Sequence, residues 1–110
     1  MLFRSGRLYL SSISLAELYV LAYRLDDPTP RLDRIEEVLQ NEVTLVDFDA
    51  ECARAFGQLR AGLIRSGASV PPIDLLIGSV AVAYDMTLVT HNTADFLPIP
   101  GLRLVDWLAP

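Results

Sequence analysis

Short β-prone runs alternate with longer helical segments along the chain. Residues 8–13, 43–46 and 87–90 are apolar runs of the kind found in strands that are buried on both faces of a parallel sheet. Residues 102–105 form a further run, which we expect to be an edge strand, and residues 93–96 predict a single turn of helix. Because helical segments separate the strands, the pattern predicts an α/β fold of three layers, in which helices cover both faces of a mostly parallel sheet.

Four segments carry apolar residues at helical spacing. One follows Ser14, a second follows Pro30, and a third precedes Gly67, a residue type that commonly ends a helix. The fourth, residues 72–84, is apolar on nearly every side, so we expect it in the interior. Trp107 follows the last strand and is expected to pack back on the core.

The composition predicts a single folded domain. With 52% hydrophobic and 21% charged residues, the chain is able to bury a sizeable core. A net charge of −5 argues against the broad basic face of a general nucleic-acid binder, but it allows an enzyme that contacts nucleic acid at one local site. One cysteine excludes a disulfide framework, and one histidine weakens every mechanism that needs two imidazoles. The sequence shows no secretory signal and no membrane-spanning segment, and we expect a cytoplasmic protein.

Three carboxylates are expected at the rim beyond the carboxyl ends of the predicted strands, where open parallel sheets bind their ligands. Glu17 is three residues into the helix that follows the first strand, Asp74 is in the first turn of the apolar helix, and Asp95 follows the third strand. Glu17 and Asp95 also have a purely structural explanation. Each stands three residues after a potential helix cap, Ser14 and Asn92 respectively, as in a capping box.

Asp74 is harder to explain by structure alone. It is the only charged residue between Arg65 and Asp85, and burial of an unpaired carboxylate is costly. If the three acids converge, they repel one another, and a divalent cation removes that repulsion. An oxygen-only ligand set suits Mg²⁺ or Mn²⁺, and such an ion orients water for attack on a phosphodiester. The residues therefore indicate metal-dependent hydrolysis of a phosphate ester.

Four motifs, in this order, resemble the PIN domains, and in particular the VapC-type ribonuclease toxins of bacterial toxin–antitoxin pairs. Residues 10–18 (LSSISLAEL) are similar to the second strand and following helix of that family, and residues 72–79 (PIDLLIGS) to its aspartate-led helix. Residues 88–96 (LVTHNTADF) resemble its strand and N-x-x-D-F motif, and residues 101–107 (GLRLVDW) its closing strand. The order and spacing agree over essentially the whole chain.

The resemblance implies a site and a set of partners. Glu17, Asp74 and Asp95 would be three of the family's four acidic residues, which hold Mg²⁺ or Mn²⁺ and cut RNA. Thr90 and Asn92 would be polar supports at the same rim. The implied partners are an RNA substrate, a second copy of the chain in a homodimer, and a small antitoxin protein that packs into a groove. The resemblance implies no further cofactor and no membrane.

The match is incomplete at the start of the chain. The family begins with a central strand that carries its first aspartate, in a pattern like L-D-T-N, and nothing comparable precedes Leu8. We therefore expect residues 1–110 to be one PIN-like domain that is truncated at its N-terminus and lacks that strand. Two hypotheses follow: a metal-dependent endoribonuclease toxin, or a catalytically inactive domain that acts only as a protein-interaction module. A receiver-like or small-molecule-binding domain fits the fold but explains the motif order poorly.

Two other features have competing explanations. The apolar helix of residues 15–25 includes Tyr19 and Tyr23 and would supply part of a partner surface, whereas an ordinary core helix accounts for most of its side chains. His91 stands beside Asn92 at the rim, where contact with a phosphate or action as an acid competes with an ordinary exposed loop histidine.

Overall fold

The structure, a computed structural model, describes residues 1–107. Five strands, four helices and one 3₁₀ turn follow one another in the order β1 (Leu2–Arg4), β2 (Arg7–Ser11), α1 (Ser12–Tyr23), α2 (Thr29–Asn41), β3 (Thr44–Val46), α3 (Ala50–Ser66), α4 (Pro72–Ala83), β4 (Thr87–Val89), the 3₁₀ turn (Thr93–Phe96) and β5 (Arg103–Val105). The four predicted helices and four predicted strands are all present, and the α/β class is confirmed.

The strands form one mixed sheet in the order β3-β2-β1-β4-β5. The two outer pairs, β2 with β3 and β4 with β5, are parallel, as the pattern predicted, and β5 is an edge strand. The central strand β1 is antiparallel to both of its neighbours. Strands β2 and β4 therefore point the same way, and their carboxyl ends lie at one edge of the sheet, which we call the carboxyl edge.

Strand β1 is the main departure from the sequence-based prediction, which placed no strand before residue 8. It forms a hairpin with β2 through Ser5 and Gly6, whose φ values of 52° and 78° suit a tight two-residue turn. Leu2, paired with Tyr9 on one side and Leu88 on the other, is 1% exposed. Three residues are too few to show a period, so only the pairing on both sides reveals the strand.

Helix α1 begins at Ser12, two residues earlier than predicted, because Ser11 is its N-cap. The Ser11 hydroxyl accepts a hydrogen bond from the backbone N–H of Ser14 at 3.0 Å. Helix α3 ends as predicted at Gly67, which adopts the left-handed conformation with φ 75°.

The core lies between the sheet and helices α3 and α4. Helix α4 packs into this core, as its apolar sequence predicted, and its buried residues are Leu75, Gly78, Ser79, Val80 and Ala81. Trp107 differs from its prediction: its ring meets Phe3 edge-on at 6.1 Å between centroids, yet it remains 57% exposed. No helix within residues 1–107 is long and apolar enough to cross a membrane.

Candidate functional site

Glu17 lies in the second turn of α1, beyond the carboxyl end of β2. The capping-box interpretation of this residue is wrong, because the cap is Ser11 and its partner is the N–H of Ser14. Glu17 is exposed and is therefore available to a ligand at the carboxyl edge.

Asp74 lies in the first turn of α4 and is half-buried. Burial raises its pKa, and the negative charges of Asp95 and Glu17 raise it further. Asp95 and Glu17 therefore lie within electrostatic range of Asp74, although the three acids come from three separate segments of the chain.

Asp95 lies in the 3₁₀ turn that follows β4 and is held by a short chain of hydrogen bonds. The Asn92 side-chain amide donates to the Asp95 carboxylate, and the Asn92 backbone N–H donates to the Thr90 hydroxyl at 3.1 Å. Asn92 is the N-cap residue of the turn, but its side chain makes no capping hydrogen bond. The predicted rim supports Thr90 and Asn92 thus lie beside the carboxylate, and the capping interpretation of this segment is wrong.

Within residues 1–107, no basic side chain offsets the charge on Asp74. Every influence on the pKa of Asp74 raises it, so none comes from a neighbouring arginine. Within residues 1–107, no three histidine, cysteine, aspartate or glutamate side chains lie close enough to enclose a metal ion by themselves. The three predicted acids therefore do not form a closed metal cage in this structure.

Sequence reasoning missed a contact at the same edge. The Nδ1 atom of His91 lies 3.0 Å from a carboxylate oxygen of Asp106, which follows β5. The two residues are 15 positions apart, so only the parallel pairing of β4 and β5 brings them together. The one sequence signal for this contact was that polar residues directly follow two strands that were predicted to be parallel.

The fold and the acidic edge define a class of protein: an α/β domain that presents carboxylates beyond the ends of its strands. Residues 2–100 match the family model described as PIN domain, and the chain belongs to the PIN domain family. The match includes the first three of the four motifs, and the resemblance to the PIN family is thereby confirmed.

The chain is also similar to individual PIN proteins. It is 36% identical over 102 residues to the tRNA(fMet)-specific endonuclease VapC of Shigella flexneri, and the aligned residues cover 93% of this chain and 76% of that protein. Among solved structures it resembles VapBC2 from Rickettsia felis bound to a promoter DNA fragment, with 33% identity, a TM-score of 0.84 and coverage of 94% and 77% of the two chains. It also resembles VapBC-1 from nontypeable Haemophilus influenzae, with 27% identity, a TM-score of 0.86 and coverage of 99% and 81%.

Proposed function

We propose that the chain is a metal-dependent endoribonuclease, the toxin of a type II toxin–antitoxin pair, acting in the cytoplasm on RNA phosphodiesters. The observation that supports the proposal is the setting of Asp74: it is half-buried at the start of α4, and burial and the negative charges of Asp95 and Glu17 all raise its pKa. Such repulsion is a poor arrangement for stability alone and a suitable one for a divalent cation. The similarity to VapC ribonucleases supports the same reaction.

The donor set at the carboxyl edge fits Mg²⁺ or Mn²⁺, because all of its ligands are hard oxygens. Mg²⁺ usually takes one or two carboxylates and retains several waters, which agrees with acids that form no closed cage. Glu17, Asp74 and Asp95 would hold the ion. When bound, it supplies positive charge that orients a water toward the phosphodiester and stabilises the leaving oxygen.

The chain's own residues prepare Asp95 for this role. Asn92 fixes the carboxylate by donating to it, and Thr90 fixes Asn92 in turn. A carboxylate that is already oriented loses less conformational freedom when it binds a ligand. Asp74 is oriented differently, by its place in the first turn of a buried helix.

Cleavage of a labelled RNA with Mn²⁺ tests the proposal. We expect Asp74→Asn and Asp95→Asn each to lower the rate by at least about 100-fold, and EDTA to abolish cleavage. The matched control is Asp33→Asn on the exposed surface of α2, which should cleave at the wild-type rate. Cleavage that persists in EDTA, or that survives Asp74→Asn, would contradict a metal-dependent nuclease.

We also propose that the chain forms a homodimer and binds a small antitoxin. The support is the exposed apolar side of α1, which consists of Val20, Leu21 and Tyr23 and continues to Leu25. Several large apolar side chains exposed on one helix are typical of an interaction site. Leu21→Glu should weaken self-association in sedimentation experiments, or capture of a small antitoxin co-expressed from the neighbouring reading frame. Arg60→Glu, on the exposed side of α3, is the control.

One observation favours the alternative, a catalytically inactive interaction module. The resemblance implies a fourth acid on the central strand, and β1, which occupies the centre of this sheet, consists of Leu2, Phe3 and Arg4. The cleavage and binding assays separate the two functions. RNA that stays intact with Mn²⁺, together with antitoxin binding that Leu21→Glu abolishes, would establish the interaction module.

A further inference from the structure

We propose that His91 is an RNA-binding residue of this site: Asp106 orients its ring, and its other nitrogen contacts a phosphate of the bound strand. The inference rests on the proposed function and deepens it, since it names how an acidic site gains a contact with a polyanion. It uses a residue outside the three carboxylates.

The sheet places His91 and Asp106 at the carboxyl edge. Strands β4 and β5 are parallel, with Val89 paired to Val105, and the backbone N–H of Thr90 donates to the Val105 carbonyl at 3.1 Å. The residues that follow these strands therefore emerge side by side. The 3₁₀ turn that carries Asp95 begins two residues after His91, so the imidazole and the three predicted acids share this edge.

The contact joins a mostly buried carboxylate, that of Asp106, to an exposed ring, that of His91. The Asp106 side chain is 16% exposed and that of His91 is 75% exposed. An ionised carboxylate only accepts hydrogen bonds, so His91 donates from Nδ1. Asp106 thereby holds one edge of a ring that stays largely exposed, and Nε2 on the other edge is a second donor in the imidazolium form.

The charge of the molecule makes such a contact valuable. Three carboxylates repel an approaching phosphodiester, and the chain as a whole carries a net charge of −5. All nine of its basic residues other than the histidine are arginines, and none of them relieves the charge on Asp74. An imidazole at the same edge of the sheet offers a phosphate a donor, and in its protonated form a positive charge, without neutralising the carboxylates that would hold the metal.

Equilibrium binding of a labelled single-stranded oligoribonucleotide in EDTA tests the inference without cleavage. We expect His91→Ala to weaken binding several-fold at low salt. It should also flatten the plot of log affinity against log salt by about 0.7, the value for one lost phosphate contact on a single strand. His91→Arg should restore both quantities, and Asp106→Ala should give an intermediate loss, because the ring stays but loses the hydrogen bond that orients it.

The control separates a site contact from net charge. Arg60→Ala removes one positive charge from the exposed side of α3 and should change binding less than His91→Ala does. An unchanged affinity and salt slope in His91→Ala, an equal loss in Arg60→Ala, or a loss that His91→Arg fails to restore would each overturn the inference. A thermal melt of each variant shows whether a loss of folding produced the change.

The two proposals fail in different ways. Binding that depends on His91 without Mn²⁺-dependent cleavage would contradict the nuclease and leave the inference standing. Cleavage that needs Asp74, together with RNA binding that does not change in His91→Ala, would support the nuclease and contradict the inference. A chain that binds no RNA under these conditions contradicts the inference.

Discussion

Helices α1 and α4 are both apolar on nearly every side, and only one of them is buried. Helix α4 contributes five buried residues, whereas α1 buries Ala22 and leaves Val20, Leu21 and Tyr23 about half exposed or more. Their difference lies in their neighbours. Helix α4 packs extensively against α3 and also contacts α1, the sheet and the segment that carries Ile99, while α1 makes only limited contacts, with α2, α4 and the end of β2.

The comparison shows that an apolar helix sequence predicts packing against some other surface but does not indicate which surface that is. Tyr19 and Tyr23 stack on each other at 6.3 Å between ring centroids, so part of the exposed face covers itself. The rest is the surface for which we propose a partner. Composition alone predicts the same environment for both helices.

The largest expected effect is from the same substitution made on each helix. Leu75→Ala on α4 removes a side chain that is 1% exposed and should lower the free energy of unfolding by about 2–5 kcal/mol. Leu21→Ala on α1 should change it by less than about 0.5 kcal/mol, because that side chain is already 49% exposed. Urea unfolding measures both. Equal losses would show that α1 is buried in solution, for example within a dimer.

A smaller effect is expected where α4 passes closest to its neighbour. A Cβ at Gly78 would lie 2.7 Å from Cδ1 of Ile99, so Gly78→Ala forces that side chain to move and should cost about 1–3 kcal/mol. Gly57, on α3, has nothing within 4 Å of the same position. Gly57→Ala should therefore stabilise the helix by about 0.5–1 kcal/mol. A stabilised Gly78→Ala would mean that the α4 packing is looser than the structure shows.

The one charge on α4 should make stability depend on pH. Because the pKa of Asp74 is raised in the folded state, its favourable contribution is complete below the unfolded value of about 3.9 and is lost as pH rises through the folded value. Asp74→Asn should therefore raise the melting temperature at neutral pH, and the difference should shrink in acid. Asp33→Asn is the control. Added Mg²⁺ should raise the melting temperature of the wild type more than that of the variant.

The smallest effect is expected at the other end of α4, where Tyr84 donates a hydrogen bond to Asp49, the N-cap of α3. This bond lowers the pKa of Asp49 and raises that of Tyr84 to about 12. The contribution of Asp49 is present above its unfolded pKa and is lost as pH falls through the folded one. Tyr84→Phe should thus lower the melting temperature slightly at neutral pH and not in strong acid. Tyr23→Phe should leave it unchanged at both.

Much of the fold was predictable because its signals are local. The runs that became β2 to β5, the Gly67 end of α3 and the apolar character of α4 are all visible within short stretches of sequence. The capping of α1 was not, because Ser11, Ser12 and Ser14 are all plausible caps and only the backbone geometry selects Ser11. The exposure of Trp107 depends on what packs near Phe3, which no local pattern records.

The sequence by itself determined the identity of the three acids and their order along the chain, since residue type and spacing are properties of the chain alone. The tertiary structure decided what those acids experience. The charges of Asp95 and Glu17 raise the pKa of Asp74 only because β2 and β4 point the same way on either side of β1. His91 contacts Asp106 only because β4 and β5 are parallel neighbours. Charge interactions and hydrogen bonds depend on distance in space, and pairing between distant strands, which no local window contains, sets those distances.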